Sequence, residues 1–440
     1  MNTARRQSTA VLVSVGDELL GGAHADLNSP WLAGELEDVG LETQHVHVVG
    51  DDEEQLAALV AQELERHVLV VVSGGLGPTL DDVTRHALAR AVGRELCFDD
   101  EAWRQVKSTW ERRGETPPEA NRRQALVPRG AELFPNSCGT APGFCVELDG
   151  PRGRALVACL PGPPNEYQAM AREQLLPRVA SRLVDEARRP AVARGTLWGI
   201  GESSFADRAG EWLARDADPV VGVCARSGLL VLKALSRGPG AQARVDARMA
   251  ELAQRFDRHW VGPDHAPLEE TLVRELTRLQ LRLAAAESCT GGLVAGALTS
   301  VPGSSAVLER AFVTYSNASK CELLGVPPAL IERHGAVSRE VAAAMAHGAR
   351  ARSGVDLAVA VTGVAGPDGG SPDKPVGRVE FALAAADGTW TVGRTFPNFG
   401  RERIRRFAVH QALALVLWTV RGRRADLGLE PAAVDTVMGA

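Results

Sequence analysis

The sequence predicts an α/β protein built of three blocks, and three observations lead to this prediction. The chain has 440 residues, which at about 150 residues per domain corresponds to roughly three domains. Short apolar runs alternate with segments of helical spacing through the first and last parts of the chain. Several of these runs end in glycine-rich turns, and the order strand, turn, helix is typical of a doubly wound sheet.

The first block, residues 8–185, is expected to form a doubly wound parallel sheet. Its strands are recognised as β-rich apolar runs, and its helices by apolar residues recurring every three or four positions. The expected elements are strand 10–15, helix 30–39, strand 43–49, helix 53–65, strand 68–72, a helix after the loop SGGLGPTLDD, strand 156–160 and helix 167–175.

The second block, residues 190–262, is predicted to be a small α+β domain. Its expected elements are strand 195–198, helix 203–214, strands 220–225 and 229–235, and helix 241–256. Weakly patterned segments at 186–190 and 262–267 are the expected joints on either side.

The third block, residues 266–424, is predicted to be a second α/β domain. Its expected elements are a helix from 268, strand 282–286, a helix after ESCTGG, strand 311–315, a helix containing Lys320, helix 339–351, strands 356–361, 378–386 and 390–396, and helix 401–420. The last sixteen or so residues are expected to form a loose tail.

Composition excludes several classes of protein. The net charge is −6, so the basic surface that nucleic-acid binding requires is not indicated. The apolar runs fall far short of the roughly 20 residues that a membrane helix needs, and the N-terminal run is too short for a secretory signal. Seven scattered cysteines without a CxxC pair predict reduced thiols and a cytoplasmic location.

Four loops of the first block carry candidate binding residues. Glycines in Ser73–Asp82 allow backbone N–H groups to approach a phosphate, and the adjacent acids Asp81 and Asp82 can hold a divalent metal on a diphosphate. A tight turn in which one of these acids caps the next helix explains the same residues. Gly16-Asp17-Glu18 and the PGPP loop around Gly162 also follow strand ends, where loops of a doubly wound sheet converge. The loop beginning at Asn136 is rich in small residues and, taken alone, fits an ordinary turn better than a binding site.

The third block carries the strongest group of residues. Ser288 lies on a strand-to-helix turn where N–H groups can stabilise an oxyanion. A buried Lys320 with a lowered pKa can act as its base, and Tyr315 can relay the proton or orient the amine. Taken singly, Ser288, Tyr315 and Lys320 are better explained as a helix cap, a core aromatic and a solvated charge. The glycine-dense loop 362–370 suits a phosphate or ribose, and equally a structural turn.

These motifs resemble the competence/damage-inducible protein A family. GGLGPTLDD, NSCGTAPG and PGPPNE are similar to its N-terminal, molybdopterin-binding-like half. AESCTGG, VTYSNASK, HGAVS and TGVAGPDGGSPDKPVG are similar to its C-terminal nicotinamide-nucleotide amidohydrolase half. The middle block resembles the KH-like connecting domain of the family but shows no clear GxxG loop. The resemblance covers roughly residues 10 to 420.

The resemblance implies two hydrolytic activities and a homodimer. The C-terminal domain is implied to deamidate nicotinamide mononucleotide without a cofactor, with Ser288 as nucleophile and Tyr315 and Lys320 as its activating pair. The N-terminal domain is implied to cleave ADP-ribose at its pyrophosphate with a divalent metal. Asp17 replaces the usual threonine of the family, which either adds charge near the diphosphate or strengthens the metal site. The implied metal ligands are Asp17, Asp81 and Asp82. The implied substrate-binding residues are Gly74, Gly75, Gly77, Thr79, Asn136, Gly162, Cys289, Thr290, Gly291, Gly292, Thr362, Gly363, Gly366, Asp368, Gly369 and Gly370.

Two other functions compete with this interpretation. The N-terminal domain can merely bind a pterin-like or nucleotide ligand, leaving one enzymatic site. Alternatively, the chain can be a non-enzymatic adaptor in DNA uptake or recombination. The Ser288, Tyr315 and Lys320 set and the acidic net charge argue against an adaptor.

Overall fold

The structure is a computed structural model that describes residues 9–185, 189–226, 228–264 and 266–432. The chain forms two compact units. The first comprises residues up to 191 together with 236–241, and the second comprises 192–235 and the chain from 242 onward. The expected joint at 186–190 lies mostly outside the described residues, as does His265 of the joint at 262–267.

The first unit contains a six-stranded sheet, a small two-stranded sheet and the helices between them. Its strands are β1 (Thr9–Val15), β2 (Glu42–Val49), β3 (Leu69–Ser73), β4 (Leu96–Phe98), β5 (Leu126–Pro128), β6 (Glu132–Phe134), β7 (Gly143–Gly150) and β8 (Gly153–Leu160). Its helices are α1 (Asp17–Leu20), α2 (Asn28–Val39), α3 (Glu53–Leu64), α4 (Thr84–Ala91), α5 (Asp100–Glu111), α6 (Pro164–Met170) and α7 (Leu176–Arg182).

Helices cover both faces of the large sheet, whose strand order is β2-β1-β3-β8-β7-β6. Side chains alternate along β1, so Ala10 and Leu12 pack into the core beside α2 and α6, whereas Val11 and Val13 pack into the core beside α3 and α4. The predicted α/β fold is confirmed, but the sheet is mixed. β7 and β8 form an antiparallel hairpin, because the tight turn between Gly150 and Gly153 leaves no room for a crossover helix.

The middle block forms the four-stranded sheet β10-β11-β9-β12 with two helices. Its elements are β9 (Ala191–Trp198), α8 (Glu202–Ala209), β10 (Val220–Arg226), β11 (Leu229–Ser236), α9 (Ala241–Arg255) and β12 (Trp260–Pro263). Phe205 and Phe256 pack together in its core, with ring centroids 4.8 Å apart. The last strand, β12, contributes Val261 to the core of the C-terminal sheet, so the two sheets share one compact unit.

The C-terminal sheet has the order β14-β13-β15-β16-β17-β18 and helices on both faces. Its strands are β13 (Leu283–Glu287), β14 (Leu308–Val313), β15 (Leu357–Gly363), β16 (Arg378–Ala385), β17 (Gly388–Thr395) and β18 (Glu430–Pro431). Its helices are α10 (Leu268–Leu279), α11 (Leu293–Thr299), α12 (Asn317–Leu324), α13 (Pro328–His334), α14 (Arg339–Ser353) and α15 (Arg401–Val420).

Part of the expected C-terminal tail is structured. β18 pairs with β17 through Glu430 and Pro431, and Leu427 is buried in the core. The loose-tail prediction is therefore wrong for residues 425–432, and residues 433–440 lie outside the described part of the chain. All seven cysteines are free. Within the described residues, every helix is too short or too polar to span a bilayer.

Candidate active sites

The carboxylate of Glu287 holds the Ser288 turn between β13 and α11. Glu287 is fully buried and accepts hydrogen bonds from the backbone N–H groups of Gly292 and Val294 at 3.0 Å and of Ala295 at 2.9 Å. A carboxylate in this position satisfies donors that helix geometry leaves unpaired and complements the helix dipole. Glu287 therefore caps α11, and the hydroxyl of Ser288 is not needed for this purpose.

Lys320 is buried beside Ser288. Its side chain is 1% exposed, and its Nζ donates to Ser288 Oγ at 3.1 Å and to the Thr314 carbonyl at 2.9 Å. Burial lowers the pKa of Lys320, and the neighbouring thiols Cys289 and Cys321 do not fully offset this effect. The structure thus brings together an amine with a lowered pKa and the hydroxyl of Ser288.

Cys289 adjoins Ser288 but has a different environment. Burial raises the pKa of its thiol to about 12, so it is almost entirely protonated at neutral pH. Because the thiolate is the reactive form of cysteine, the thiol is a poor nucleophile here. The hydroxyl of Ser288, with Lys320 at hydrogen-bonding distance, is the better candidate.

The Tyr315 side chain lies on the outer side of this site. β14 is an edge strand, and side-chain alternation at its end directs Thr314 inward, whereas Val313 and Tyr315 are 48% and 63% exposed. The Tyr315 hydroxyl accepts a hydrogen bond from Arg401 at 3.1 Å, and it is the Tyr315 backbone carbonyl that lies 3.5 Å from Lys320 Nζ. The described hydrogen bonds do not include one from the Tyr315 hydroxyl to Ser288 or Lys320, so they do not support the expected proton relay.

Two arginines of α15 that the sequence analysis missed hold the site together. Arg405 donates from Nε to the Cys289 carbonyl at 3.0 Å and from a terminal nitrogen to the Thr290 carbonyl at 2.7 Å. Arg401 donates to the Gly366 carbonyl at 2.7 Å. Their spacing of four residues puts both on one helix face. Arg401 lies in the first turn of α15, where a cation opposes the helix dipole, and that mismatch was a signal that Arg401 binds elsewhere.

The glycine-dense loop adjoins the Ser288 turn because β13 and β15 are parallel neighbours. Glu287 is in register with Val361, and the Ser288 N–H donates to the Val361 carbonyl at 2.9 Å. Thr362 is buried, and its hydroxyl donates to the Ala336 carbonyl, whereas the loop from 367 to 370 is exposed. Substrate contacts for Gly363, Gly366, Asp368, Gly369 and Gly370 stay predictions.

A cavity of about 730 Å³ opens at the carboxyl ends of β1, β3 and β8 in the first unit. The predicted residues Gly74, Gly75, Gly77 and Gly162 line it, as do Asp81 and Asp82. Gly74 and Gly75 have φ values of 98° and 63°, and a Cβ on Gly75 would lie 2.2 Å from Thr84 Oγ1. These positions therefore need glycine for both conformation and space.

Asp82 shapes the glycine loop from within. Its carboxylate accepts hydrogen bonds from the Gly77 N–H at 2.6 Å, the Thr79 N–H at 2.8 Å and the Thr79 hydroxyl at 2.5 Å. Both oxygens are thus engaged by the loop itself. Asp82 and Thr79 have a structural task here, and their roles toward a metal or a substrate stay predictions.

Asp17 and Asn136 do not line the cavity. Asp17 lies against Asp51, whose carboxylate accepts a hydrogen bond from the Asp17 N–H at 3.1 Å. The side-chain amide of Asn136 makes all of its hydrogen bonds within the protein. Its oxygen accepts from the N–H groups of Cys138 and Gly139, and its nitrogen donates to the Ala141 carbonyl and to the Glu166 carboxylate. Asn136 therefore orders its loop, and its role as a direct substrate ligand stays a prediction.

Asp51, Asp26 and Asn28 were missed by the sequence analysis and line the cavity. Burial, followed by the charges of Asp17, Glu18 and Asp81, raises the pKa of Asp51. Burial alone would raise the pKa of Asp26, but hydrogen bonds, mainly from Ser29 and Ser14, lower it overall.

Asn28 is positioned by hydrogen bonds from its side-chain nitrogen. That nitrogen donates to Ser73 and to the Gly162 carbonyl, and its buried Oδ1 has no partner. Asp26 precedes α2 and Asn28 is its first residue, and the Asp-x-Asn pattern was the available sequence signal for a turn here.

These carboxylates do not form a metal cage by themselves. Among the described residues, no three His, Cys, Asp or Glu side chains are placed to hold one ion. Mg²⁺, however, is commonly held by one or two carboxylates together with substrate phosphates. Burial and then the negative charges of Asp17, Glu18 and Asp81 raise the pKa of Asp51, and Asp51 lines the cavity. Both observations fit an ion held between Asp51 and substrate phosphates.

Comparisons with known proteins cover both units. A probable molybdopterin binding domain matches residues 11–181, and the CinA C-terminal domain matches residues 265–420. A putative competence-damage inducible protein of Symbiobacterium thermophilum is 42% identical over 419 residues, which is 92% of this chain and 97% of that protein. A CinA-like protein of Geobacter metallireducens is 42% identical over 91% of this chain and 97% of its own length. The crystal structure of the competence/damage inducible protein CihA of Agrobacterium tumefaciens is 46% identical in sequence to this chain. The match covers 36% of this chain and 97% of the CihA chain, with a TM-score of 0.34.

Proposed function

Because the chain belongs to the competence-damage inducible, or CinA, family, we propose that its C-terminal domain hydrolyses the amide of nicotinamide mononucleotide. The products are nicotinate mononucleotide and ammonia. The observation that carries the proposal is the 3.1 Å contact between Lys320 Nζ and Ser288 Oγ inside the protein. A buried amine without a carboxylate partner is a suitable base for a serine nucleophile.

In the first half-reaction, Ser288 Oγ attacks the amide carbon and its proton passes to neutral Lys320. The Thr314 and Tyr315 carbonyls, at 2.9 and 3.5 Å, accept the two N–H bonds of the neutral amine, which leaves its lone pair for the serine proton. The C–N bond then breaks, and Lys320 returns the proton to the departing ammonia. Water attacks the resulting acyl-serine in the same way and releases the acid.

Two backbone groups are candidates for stabilising the oxyanion of this reaction. The N–H groups of Gly292, Val294 and Ala295 are occupied by Glu287 and are therefore unsuitable. Apart from the contact of the Cys289 N–H with its own thiol, the N–H groups of Cys289 and Thr290 have no acceptor among the described hydrogen bonds, and both follow the nucleophile directly. Arg405 fixes both residues by their carbonyls, so these donors are preorganised for a developing charge.

The test is product analysis with the pure full-length chain and nicotinamide mononucleotide. We expect release of ammonia and nicotinate mononucleotide by the native chain, none by Ser288→Ala, and near-native release by the matched control Ser300→Ala, an exposed serine after α11. Ammonia release by Ser288→Ala at the native rate would refute the proposal. Absence of any turnover by the native chain would favour a non-enzymatic adaptor.

For the N-terminal domain we propose metal-dependent cleavage of ADP-ribose at its diphosphate, with AMP and ribose 5-phosphate as products. The combination of a glycine loop with cavity carboxylates supports it. Asp51 and Asp81 would hold the ion together with the substrate, and a divalent ion would neutralise charge on the diphosphate. The chain's own task is to seat the phosphates against the loop and to orient water.

Chelation tests this second activity inside one preparation. We expect a chelator to stop ADP-ribose cleavage and to leave deamidation unchanged. Asp51→Asn is expected to lose cleavage, whereas Asp149→Asn, an exposed acid on β7, is expected to keep it. Tight binding of ADP-ribose without cleavage would favour a domain that only binds its ligand.

A further inference from the structure

A buried arginine lies directly behind the glycine loop of the N-terminal cavity. Arg85, in the first turn of α4, is 2% exposed. Its guanidinium donates to the Leu76 carbonyl at 2.7 Å and to the Gly77 carbonyl at 3.4 Å, and Nε has no hydrogen-bond partner. Leu76 and Gly77 line the cavity and Arg85 does not, so one layer of backbone separates the guanidinium from the cavity.

The charge of Arg85 is not neutralised by an ion pair within the described residues. Burial lowers its pKa to about 10, which still leaves it charged at neutral pH. Asp82 is the acid whose charge acts on it, but the Asp82 carboxylate accepts its hydrogen bonds from Gly77 and Thr79. Keeping a cation in the interior without a paired anion is costly, which indicates that an anion completes the arrangement.

The cavity itself presents the opposite charge to a phosphate. Its described lining contains no lysine or arginine and six acids: Glu18, Asp26, Asp51, Asp81, Asp82 and Glu166. A diphosphate entering this cavity meets repulsion unless positive charge lies close to its binding position. Arg85 supplies such a charge through the loop, and it holds the negative ends of two carbonyl dipoles away from the cavity. The buried, unpaired Oδ1 of Asn28 in the same cavity wall independently indicates that a ligand group belongs there.

We propose that Arg85 is a positioning residue whose charge holds a diphosphate group against the loop Ser73–Pro78. The inference rests on the proposed N-terminal function and specifies how that site attracts its substrate. A charge acting across one peptide layer, at about 6 Å and an effective dielectric constant near 20, changes anion affinity by about tenfold or more. The same charge would act equally on the diphosphate of a nucleotide and on free pyrophosphate.

The experiment measures binding of inorganic pyrophosphate and of ADP-ribose to the full chain with Mg²⁺ by calorimetry, alongside the Tm of the ligand-free chain. Arg85→Lys keeps the charge and loses the planar fork, whereas Arg85→Gln keeps hydrogen-bond donors and loses the charge. Arg90→Gln on the same helix is the control, because Arg90 is exposed and pairs with Glu54.

We expect Arg85→Gln to weaken binding at least about tenfold, Arg85→Lys to stay within about threefold of the native chain, and Arg90→Gln to be unchanged. Equal affinity of the native chain and Arg85→Gln would overturn the inference and leave the proposed N-terminal function standing. A tenfold loss in Arg85→Lys would also overturn it, and this outcome decides the matter if Arg85→Gln does not fold. No binding of either probe by the native chain would refute both proposals.

Discussion

The replacement of Lys320 by arginine is the sharpest test of the chemistry proposed for the C-terminal domain. Arginine keeps the positive charge and most of the length of the side chain, but it does not lose its proton near neutral pH. If Lys320 acts as a base, Lys320→Arg should be nearly as inactive as Lys320→Met. If only a cation is needed beside Ser288, the arginine variant should work and the methionine variant should not.

The expected size of the loss follows from the geometry. Lys320 Nζ lies 3.1 Å from Ser288 Oγ, which is direct proton-transfer distance without an intervening water. A positioned general base contributes about 10²–10⁴-fold, so kcat should fall by about that factor in both variants. KM should change much less, because Lys320 is buried and its described hydrogen bonds are to Ser288 and to backbone carbonyls.

The pH dependence gives a second, independent readout. Only the neutral amine accepts the proton, so kcat/KM of the native chain should rise with pH and level off above the pKa of Lys320. Burial lowers that pKa, so the plateau should begin below the ordinary lysine value of 10.5. If kcat/KM of the native chain did not rise with pH below 10.5, or if Lys320→Arg turned over at a near-native rate, the reasoning would be refuted.

Three further predictions concern the same unit. Cys289→Ala should keep most of the deamidase activity, because a thiol with a pKa of about 12 is protonated at neutral pH; loss of activity in this variant alone would move the nucleophile to Cys289. Arg405→Ala should lower kcat about tenfold or more with little change in KM, since two hydrogen bonds to the turn are lost, whereas exposed Arg403→Ala should behave as the native chain. Trp418→Ala should lower the free energy of unfolding, measured by urea titration, by about 3–5 kcal/mol. The indole of Trp418 is 1% exposed, packs on Trp198 and donates a hydrogen bond to the Arg258 carbonyl. A change below about 1 kcal/mol would show that these contacts with the middle sheet add little stability.

The family and the α/β fold class were predictable from the sequence because both depend on local signals. Runs such as residues 69–72 are apolar throughout and buried on both faces, which is typical of a central parallel strand. The motifs after β3 and β13 are long enough to identify the family, and the family assignment is confirmed. The β7–β8 hairpin was missed because β7 is only partly apolar and its polar end, Glu147–Gly150, resembles a loop.

The candidate sites were less predictable because they depend on contacts between distant segments. Nothing local to Tyr315 indicates that the strand before it lies at the edge of the sheet or that the Tyr315 side chain points outward. Arg405 lies 115 residues from Thr290, and Asn28 lies 134 residues from Gly162. Such pairs follow from strand order and helix placement, which residue spacing does not contain.

Two buried basic side chains in this chain, Lys320 and Arg85, show how burial leads to different chemistry in different residue types. Lys320 and Arg85 both contact backbone carbonyls, and neither has a carboxylate ion pair within the described residues. Desolvation lowers both pKa values. A lysine begins at 10.5, so lowering favours a neutral amine that can take a proton from Ser288. An arginine begins at 12.5 and, lowered to about 10, remains a cation that can only attract an anion. The residue type therefore decides which buried basic side chain serves proton transfer and which serves anion binding. The variants Lys320→Arg and Arg85→Lys test that division directly.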